Sequence, residues 1–180
     1  MSAPAPQPNV SFRPAVPGDA RKLVALQQDI YTEDRAFVGD GPPGIESLTR
    51  RLRSLESRKS LYLVAVTPTL EDEAIVAWLK LHRLVPKKLE HVAVLTLAVA
   101  ADYRRRGIAG ALLRDADAWA RRVGVKKISL NVRANNEAAA ALYKGQGFLE
   151  EGLERAHIRL SDGFEDNLIM AKFLNYEPRT

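Results

Sequence analysis

Residues Leu97 to Leu113 read LAVAADYRRRGIAGALL, and a change of pattern within them decides the fold. The first three residues end an apolar run that is typical of a buried strand. The segment from Tyr103 to Gly107 is polar and basic, and apolar residues then recur every three or four positions as far as Val123. The stretch therefore predicts a buried strand, a basic turn and an amphipathic helix in direct succession.

The basic turn has the features of an anion-binding site. The first N–H groups of a helix have no partner within the helix, and the helix dipole adds partial positive charge there. Gly107 and Gly110 let a phosphate approach the main chain closely. Arg104, Arg105 and Arg106 add forked donors for phosphate oxygens. The alternative, from the turn alone, is a tight glycine turn beside solvated arginines.

The composition is that of an ordinary globular protein. The 180 residues include 27 Lys and Arg against 22 Asp and Glu, a net charge of +5, and 46% are hydrophobic. These values exclude a disordered chain, a collagen-like repeat and a disulfide framework. Cysteine is absent, which excludes a catalytic thiol and a thiolate metal site. The three histidines lack ligand spacing, so no metal is expected.

Charge and hydropathy also bear on partners and location. A pI near 9.6 permits binding to nucleic acid, but a solvated basic surface is the simpler reading, and we expect no nucleic-acid partner. No segment approaches 18 consecutive apolar residues, so no membrane span is expected. Residues 1–9 are predicted to be a disordered, Pro-rich tail before a single domain over 10–176. The lack of cysteine fits the cytoplasm, where we expect the protein to reside.

Periodicity along the chain predicts a mixed sheet with helices packed on it. The segment 92–99 is apolar on both faces and should lie in the middle of the sheet. Asp19 is predicted to cap the first helix. Strands are predicted at 10–14, 61–66, 74–81, 92–99, 128–132, 155–160 and 167–173, with a further strand region opening at Phe148. Helices are predicted at about 20–33, 45–55, 108–123 and 136–144.

Two motifs in the second half of the chain occur at a characteristic separation. Residues 104–109 read RRRGIA, and residues 136–143 read NEAAAALY, with Gly147-Phe148 shortly after. They resemble the [Q/R]-x-x-G-x-[G/A] and N-x-x-A-x-x-L-Y…GF signatures of the GNAT (GCN5-related) N-acetyltransferase superfamily. The predicted element order resembles that family from about residue 10 to 174. The resemblance implies an α/β (α+β) GNAT fold, with six to seven strands in a mixed sheet and about four helices.

The resemblance further implies that the strand and turn bind acetyl-CoA as acyl donor. In this family the turn holds the pyrophosphate through backbone amides, and the free edge of the splayed strand pairs with the pantetheine arm. Asn136 matches a residue that commonly contacts the cofactor, although a helix cap is an equally good explanation. The implied cofactor-binding residues are Leu97, Ala98, Val99, Arg104, Arg105, Arg106, Gly107, Ile108, Ala109, Gly110 and Asn136.

Tyr143 matches the family tyrosine whose hydroxyl lies near the thioester sulfur, and its alternative role is a core aromatic. A phenol near pKa 10 is a weaker acid than a thiol near 8.5, so it would stabilise the departing thiolate by hydrogen bonding more than by proton transfer. Many relatives carry a glutamate on the central strand, but residues 92–97 contain no carboxylate. The base therefore stays open, with Glu90, His91, His82, Asp166 or water as candidates.

The expected reaction is direct attack of a primary amine, on a small molecule or a protein, on the thioester of acetyl-CoA. By resemblance, the acceptor pocket lies between residues 34–44 and the hairpin at 157–166. Carboxylates in and next to these segments favour a cationic amine, namely those of Glu33, Asp34, Asp40, Asp162 and Asp166. The alternative function is a catalytically weak acyl-CoA-binding or regulatory module. The identity of the acceptor, the acyl chain length and a homodimeric state are left open.

Overall fold

The computed structural model describes residues 9–33 and 41–175. All of the predicted N-terminal tail except Asn9, residues 34–40 of the predicted acceptor loop, and Tyr176 lie outside the described residues. The strands are β1 (Ser11–Pro14), β2 (Ser60–Pro68), β3 (Glu73–Arg83), β4 (Val92–Val99), β5 (Lys127–Arg133), β6 (Leu149–Leu160) and β7 (Gly163–Phe173). The α-helices are α1 (Ala20–Thr32), α2 (Ile45–Arg53), α3 (Ile108–Arg122) and α4 (Glu137–Gly145).

The strands form one mixed sheet in the order β1-β2-β3-β4-β5-β7-β6. Neighbouring strands are antiparallel except for β4 and β5, which run parallel. The predicted mixed fold and the central position of the 92–99 strand are both confirmed. The strand region predicted to open at Phe148 and the strand predicted at 155–160 form one continuous strand, β6, and β7 begins at Gly163 rather than at residue 167.

The two edges of β4 are paired over different lengths. Seven residue pairs join β4 to β3, from Ala93 to Val99. Only three pairs join β4 to β5, from Val92 to Val94. Beyond Val94 the two parallel strands diverge, which opens a gap at the carboxyl end of β4.

Helices pack on both faces of the sheet, in two separate cores. One core packs α3 and α4 against the sheet and includes Leu112, Tyr143 and, from β5, Ile128 and Leu130. The other core packs α1 and α2 against β2, β3 and the end of β4. Because side chains alternate along a strand, Ser129 and Asn131 of β5 face the side opposite to α3. We call this side of the sheet, next to the β4–β5 gap, the open face.

Asp19 occupies the predicted N-cap position of α1, but its side chain makes no capping hydrogen bond to the helix. Its buried carboxylate instead accepts two hydrogen bonds from the Arg13 guanidinium, at 2.7 and 2.8 Å, and one from the Val16 N–H at 2.7 Å. Burial opposes ionisation of Asp19, but these hydrogen bonds outweigh it and hold its pKa below the ordinary value. Asp19 therefore anchors β1 to the start of α1.

Candidate active site

The carboxyl end of β4 presents backbone donors to the gap. The N–H of Ala100 donates to the carbonyl of Val76 on β3, at 2.9 Å. Backbone groups of successive residues in a strand point to opposite edges. Leu97 and Val99 therefore direct their N–H groups toward β5, beyond the point where the β4–β5 ladder has ended. This free edge can pair with an extended ligand that carries amide groups.

The turn after β4 concentrates further backbone donors at the start of α3. Arg105 and Gly107 both have positive φ angles, 59° and 78°, on either side of Arg106. Alternating backbone handedness of this kind makes a concave nest of N–H groups that suits an anion. The Ala111 N–H makes the first helical hydrogen bond, to the Gly107 carbonyl at 3.0 Å. The N–H groups of residues 108–110 precede it and have no partner within the helix.

The side chains of two of the three arginines have partners within the protein. Arg104 donates through Nε to the Val99 carbonyl at 3.0 Å, and its guanidinium binds the Glu33 carboxylate at 2.6 and 2.8 Å. The guanidinium of Arg106 lies 5.4 Å from the centre of the Tyr103 ring. Arg104 thus fastens the turn to β4 and α1, so the predicted anion site would depend chiefly on the main-chain N–H groups.

Tyr143 projects from α4 into the α3-side core. It is 7% exposed, and its ring meets that of Phe148 edge-on with 5.5 Å between the centres. Burial raises the pKa of Tyr143 above its ordinary value. The hydroxyl therefore stays protonated at neutral pH, as a hydrogen-bond donor must.

Asn136 occupies the N-cap of α4. Its Oδ1 accepts the Ala139 N–H at 3.1 Å, so the capping role is present in the structure. The cap orients the helix that carries Tyr143. Contact with a cofactor stays a prediction for this residue.

A family model described as Acetyltransferase (GNAT) family matches residues 24–148. The chain belongs to the GNAT family. The match covers β2 to α4, and so includes the gap, the turn and Tyr143.

Named relatives and a solved structure agree with this membership. The chain is 40% identical over 83 residues to the ribosomal protein bS18-alanine N-acetyltransferase of Escherichia coli K12, which is 46% of this chain and 56% of that enzyme. The chain thus spans little more than half the length of the first curated relatives it matches. It is 37% identical over 144 residues to the N-alpha-acetyltransferase RimI of Mycobacterium tuberculosis, covering 79% of this chain and 80% of that protein. A GNAT-family acetyltransferase from Streptococcus pneumoniae superposes with a TM-score of 0.80 at 26% identity, covering 92% of this chain and 100% of that chain.

The base candidates lie in different parts of this GNAT fold. Glu90 and His91 precede β4, and the eight-residue strand puts about 23 Å between its two ends. Asp166 accepts the Ala156 N–H at 2.8 Å and thereby holds a bulge in β6. His82 lies half-buried on β3, where burial and then the charges of Lys80 and Arg51 lower its pKa. Glu90 and His91 therefore lie at the end of β4 opposite to the turn, whereas the Asp166 carbonyl accepts the Ala134 N–H at 2.9 Å, just after the carboxyl end of β5.

A cavity of about 220 Å³ adjoins the turn. Glu33, one of the predicted acceptor-pocket carboxylates, lines it but is already paired with Arg104. The remaining lining residues come from the end of α1 and the segment after β4: Leu26, Asp29, Ile30, Ala100, Ala101, Asp102 and Tyr103.

Sequence reasoning missed a buried ion pair at the end of β5. Arg133 binds Glu165 of β7, with Nε and Oε2 2.7 Å apart, and both side chains are at least nine-tenths buried. Glu165 also accepts the Asn135 N–H at 3.2 Å, one residue before the α4 cap. The pair therefore fixes the loop that leads to Tyr143. The only available signal was a basic residue at the end of an apolar strand.

Two kinds of feature are absent from the described ranges 9–33 and 41–175. No helix there is both long and apolar enough to cross a membrane. No group of three or more His, Asp or Glu side chains there could hold a metal ion.

Proposed function

We propose that this GNAT protein is an acetyl-CoA-dependent N-acetyltransferase that transfers an acetyl group to a primary amine. The observation that carries the proposal is the coincidence of two features at one end of β4. The free N–H groups of Leu97 and Val99 line the gap, and the donor-rich start of α3 lies directly after it. An elongated ligand with amide groups and a diphosphate has the matching chemistry.

The chain offers a binding partner for each part of acetyl-CoA. The N–H groups of Leu97 and Val99 suit the amides of the pantetheine arm. The N–H groups from Arg105 to Gly110, with the guanidinium of Arg105, suit the pyrophosphate. The thioester supplies an activated acyl carbon, so no protein nucleophile is required from a chain without cysteine.

Two groups of the protein can stabilise the negative charge that develops on the acyl oxygen and on the departing sulfur during the reaction. A backbone N–H near Val99 is suited to polarise the acyl oxygen, as oxyanion donors do. The protonated hydroxyl of Tyr143 is suited to donate a hydrogen bond to the departing sulfur. Because burial raises the pKa of Tyr143, hydrogen bonding is favoured over transfer of its proton.

The acceptor class we propose is the α-amine of a protein N-terminus. The E. coli relative is named for an alanine of ribosomal protein bS18, and the M. tuberculosis relative is named an N-alpha-acetyltransferase. An α-amine has a pKa of about 7.7–8.0, so roughly a third is neutral at pH 7.5, against roughly 0.1% of a lysine amine. Water can then accept the remaining proton, which explains how β4 can lack a carboxylate.

The test is release of coenzyme A from acetyl-CoA in the presence of matched amines. We expect turnover of peptides with a free N-terminus, and little turnover of Nα-blocked peptides that contain lysine or of a polyamine. Turnover restricted to the lysine peptide or the polyamine would contradict the acceptor class. Saturable coenzyme A binding without turnover of any amine would instead support the acyl-CoA-binding module.

Three statements about the protein are supported by the sequence alone. The cytoplasmic location, the lack of a nucleic-acid partner and the domain limits of 10–176 stay predictions.

A further inference from the structure

Two basic side chains lie on the open face beside the β4–β5 gap. Lys80 and His82 lie two and four residues after Trp78 on β3, and Trp78 packs in the α1–α2 core. Because side chains alternate between the two faces of a sheet, Lys80 and His82 project to the same side as Trp78. Lys80 pairs with Thr96 of β4, and His82 pairs with Val94. The two side chains therefore flank the level at which β5 leaves β4.

Arg51 of α2 adds a third basic side chain, and its charge acts on Tyr62, Lys80 and His82, which lie on the adjacent strands β2 and β3. Its neighbour Leu52 is buried in the core that contains Tyr62, the β2 partner of Lys80. Burial and then the charge of Arg51 lower the pKa of Lys80. Arg51 itself is exposed, so its guanidinium is free to meet a ligand on this face.

We call Lys80, His82 and Arg51 the cation cluster after its two charged members, Lys80 and Arg51, since the lowered pKa of His82 leaves that imidazole uncharged at neutral pH. Within residues 9–33 and 41–175, no Asp or Glu lies at ion-pair distance from any of them. Other cations close by are compensated: Arg50 pairs with Glu46 at 3.9 Å, and Lys127 pairs with Glu151 at 2.7 Å.

His82 adds a second sign of an unmet partner. Its Nδ1 is buried and makes no hydrogen bond to any described residue. The charges of Lys80 and Arg51 repel each other beside the half-buried part of the sheet, and the orphaned nitrogen of the uncharged His82 imidazole adds to the cost. An anion placed over the cluster would relieve the charge repulsion.

We propose that the cation cluster binds an anionic side chain of the acceptor while the amine of the acceptor lies over the β4–β5 gap. This inference rests on the proposed acetyltransferase function and specifies its acceptor. The substrate class is a polypeptide N-terminus with an acidic residue shortly after the amine. The shared chemistry is an oxyanion, carboxylate or phosphate.

The spacing of the sheet sets the position of that residue. Adjacent strands lie about 4.8 Å apart, so the four-carbon stem of Lys80 can cross β4 toward the gap. An extended peptide advances about 3.3–3.6 Å per residue. The acidic side chain therefore belongs at the second or third residue of the acceptor.

The test compares peptides that are identical except for Asp or Asn at the second and third residues. Wild-type protein is expected to turn over the Asp peptide with a kcat/KM about tenfold or more above the Asn peptide, because hydrogen bonds to charged groups discriminate at this level. A phosphoserine peptide shows whether a phosphate serves as well as a carboxylate. Lys80→Met keeps the apolar stem, removes the charge and should bring the Asp/Asn ratio close to one.

Matched variants distinguish the effect of the cation cluster from that of any lost surface charge and from a loss of folded protein. Arg51→Met alters an exposed residue and should also reduce the ratio, whereas Arg50→Met and Lys127→Met should leave it unchanged. The KM for acetyl-CoA should stay constant in all four variants. Equal kcat/KM for the Asp and Asn peptides, or a ratio that persists in both Lys80→Met and Arg51→Met, would overturn the inference and leave the acetyltransferase function intact. Absence of turnover for every peptide would overturn both.

Discussion

The two edges of β4 differ although the strand is apolar along its whole length. The β3 edge is paired at seven positions and the β5 edge at three. Beyond Val94, β5 keeps its pairing with β7 as far as Arg133, and β4 keeps its pairing with β3 as far as Val99. The sheet therefore opens between two strands that each retain their other neighbour, and the composition of β4 alone does not reveal which edge is free.

The largest expected effect comes from replacing Gly107, whose backbone conformation shapes the nest of N–H groups at the start of α3. Gly107 has a φ of 78°, and a Cβ added there would meet no atom within 4 Å. Gly107→Val is therefore strained by its backbone, at a cost of about 1–2 kcal/mol, and not by crowding. We expect a loss of coenzyme A affinity of about a hundredfold or more in calorimetry, with the protein still folded.

Gly124→Val is the matched control for this change. Gly124 follows α3 at its other end, has a φ of 84° and also has open space around an added Cβ. It should lower thermal stability by a similar amount and leave coenzyme A affinity unchanged. Equal losses of affinity in both variants would show that the effect of Gly107→Val is not local to the turn.

The β5 side of the gap should contribute to the chemical step through Tyr143. Tyr143→Phe is expected to lower kcat about tenfold to a hundredfold, with little change in the KM for acetyl-CoA. Tyr62→Phe, a buried tyrosine in the other core, serves as the control and should leave kcat unchanged. An unchanged kcat for Tyr143→Phe would return Tyr143 to a packing role.

The same substitution changes the response to alkaline pH. Burial raises the pKa of Tyr143, so above pH 10 the unfolded chain loses this proton while the folded protein keeps it. The free energy of unfolding should therefore fall as the pH rises above 10, by up to about 1.4 kcal/mol per pH unit for this tyrosine. Denaturant titrations should show a shallower fall for Tyr143→Phe, and identical slopes would contradict the assignment.

Proline substitutions can also distinguish the roles of the two edges of β4. Leu97→Pro removes an N–H that faces the gap, and Ala98→Pro removes one that faces β3. We expect Leu97→Pro to weaken coenzyme A binding about tenfold, and Ala98→Pro to cause the greater fall in the melting temperature. The reverse order of melting temperatures would contradict the proposed direction of these backbone groups.

The smallest effect should come from the brace between α1 and the turn. Glu33→Gln removes a charge from the Glu33–Arg104 pair, whose side chains are 29% and 42% exposed. Exposed pairs contribute little, so coenzyme A affinity should fall only about twofold. Glu46→Gln, in the more exposed pair with Arg50, should change nothing measurable. A tenfold loss of coenzyme A affinity in Glu33→Gln would mean that the Glu33–Arg104 ion pair, and not the backbone of the turn, determines the arrangement of the N–H groups.

What the sequence could predict was local. The strand, turn and helix from Val92 to Arg122 follow from the pattern of adjacent residues, and Asn136 caps α4, in agreement with the helix-cap alternative for that residue. Asp19 lies at the predicted N-cap position, but its carboxylate binds Arg13, which lies on a strand whose course the sequence does not show. The Glu33–Arg104 pair joins residues 71 positions apart, and the cation cluster joins α2 to β3, so both depend on tertiary packing.

Residue-resolved amide exchange of β4 tests the gap most directly. Without ligand, the amides of Leu97 and Val99 should exchange fast, while those of Thr96 and Ala98, which face β3, should be protected. Added coenzyme A should slow exchange at Leu97 and Val99 and leave Thr96 and Ala98 as they were. Saturating coenzyme A that leaves Leu97 and Val99 exchanging fast would contradict the account.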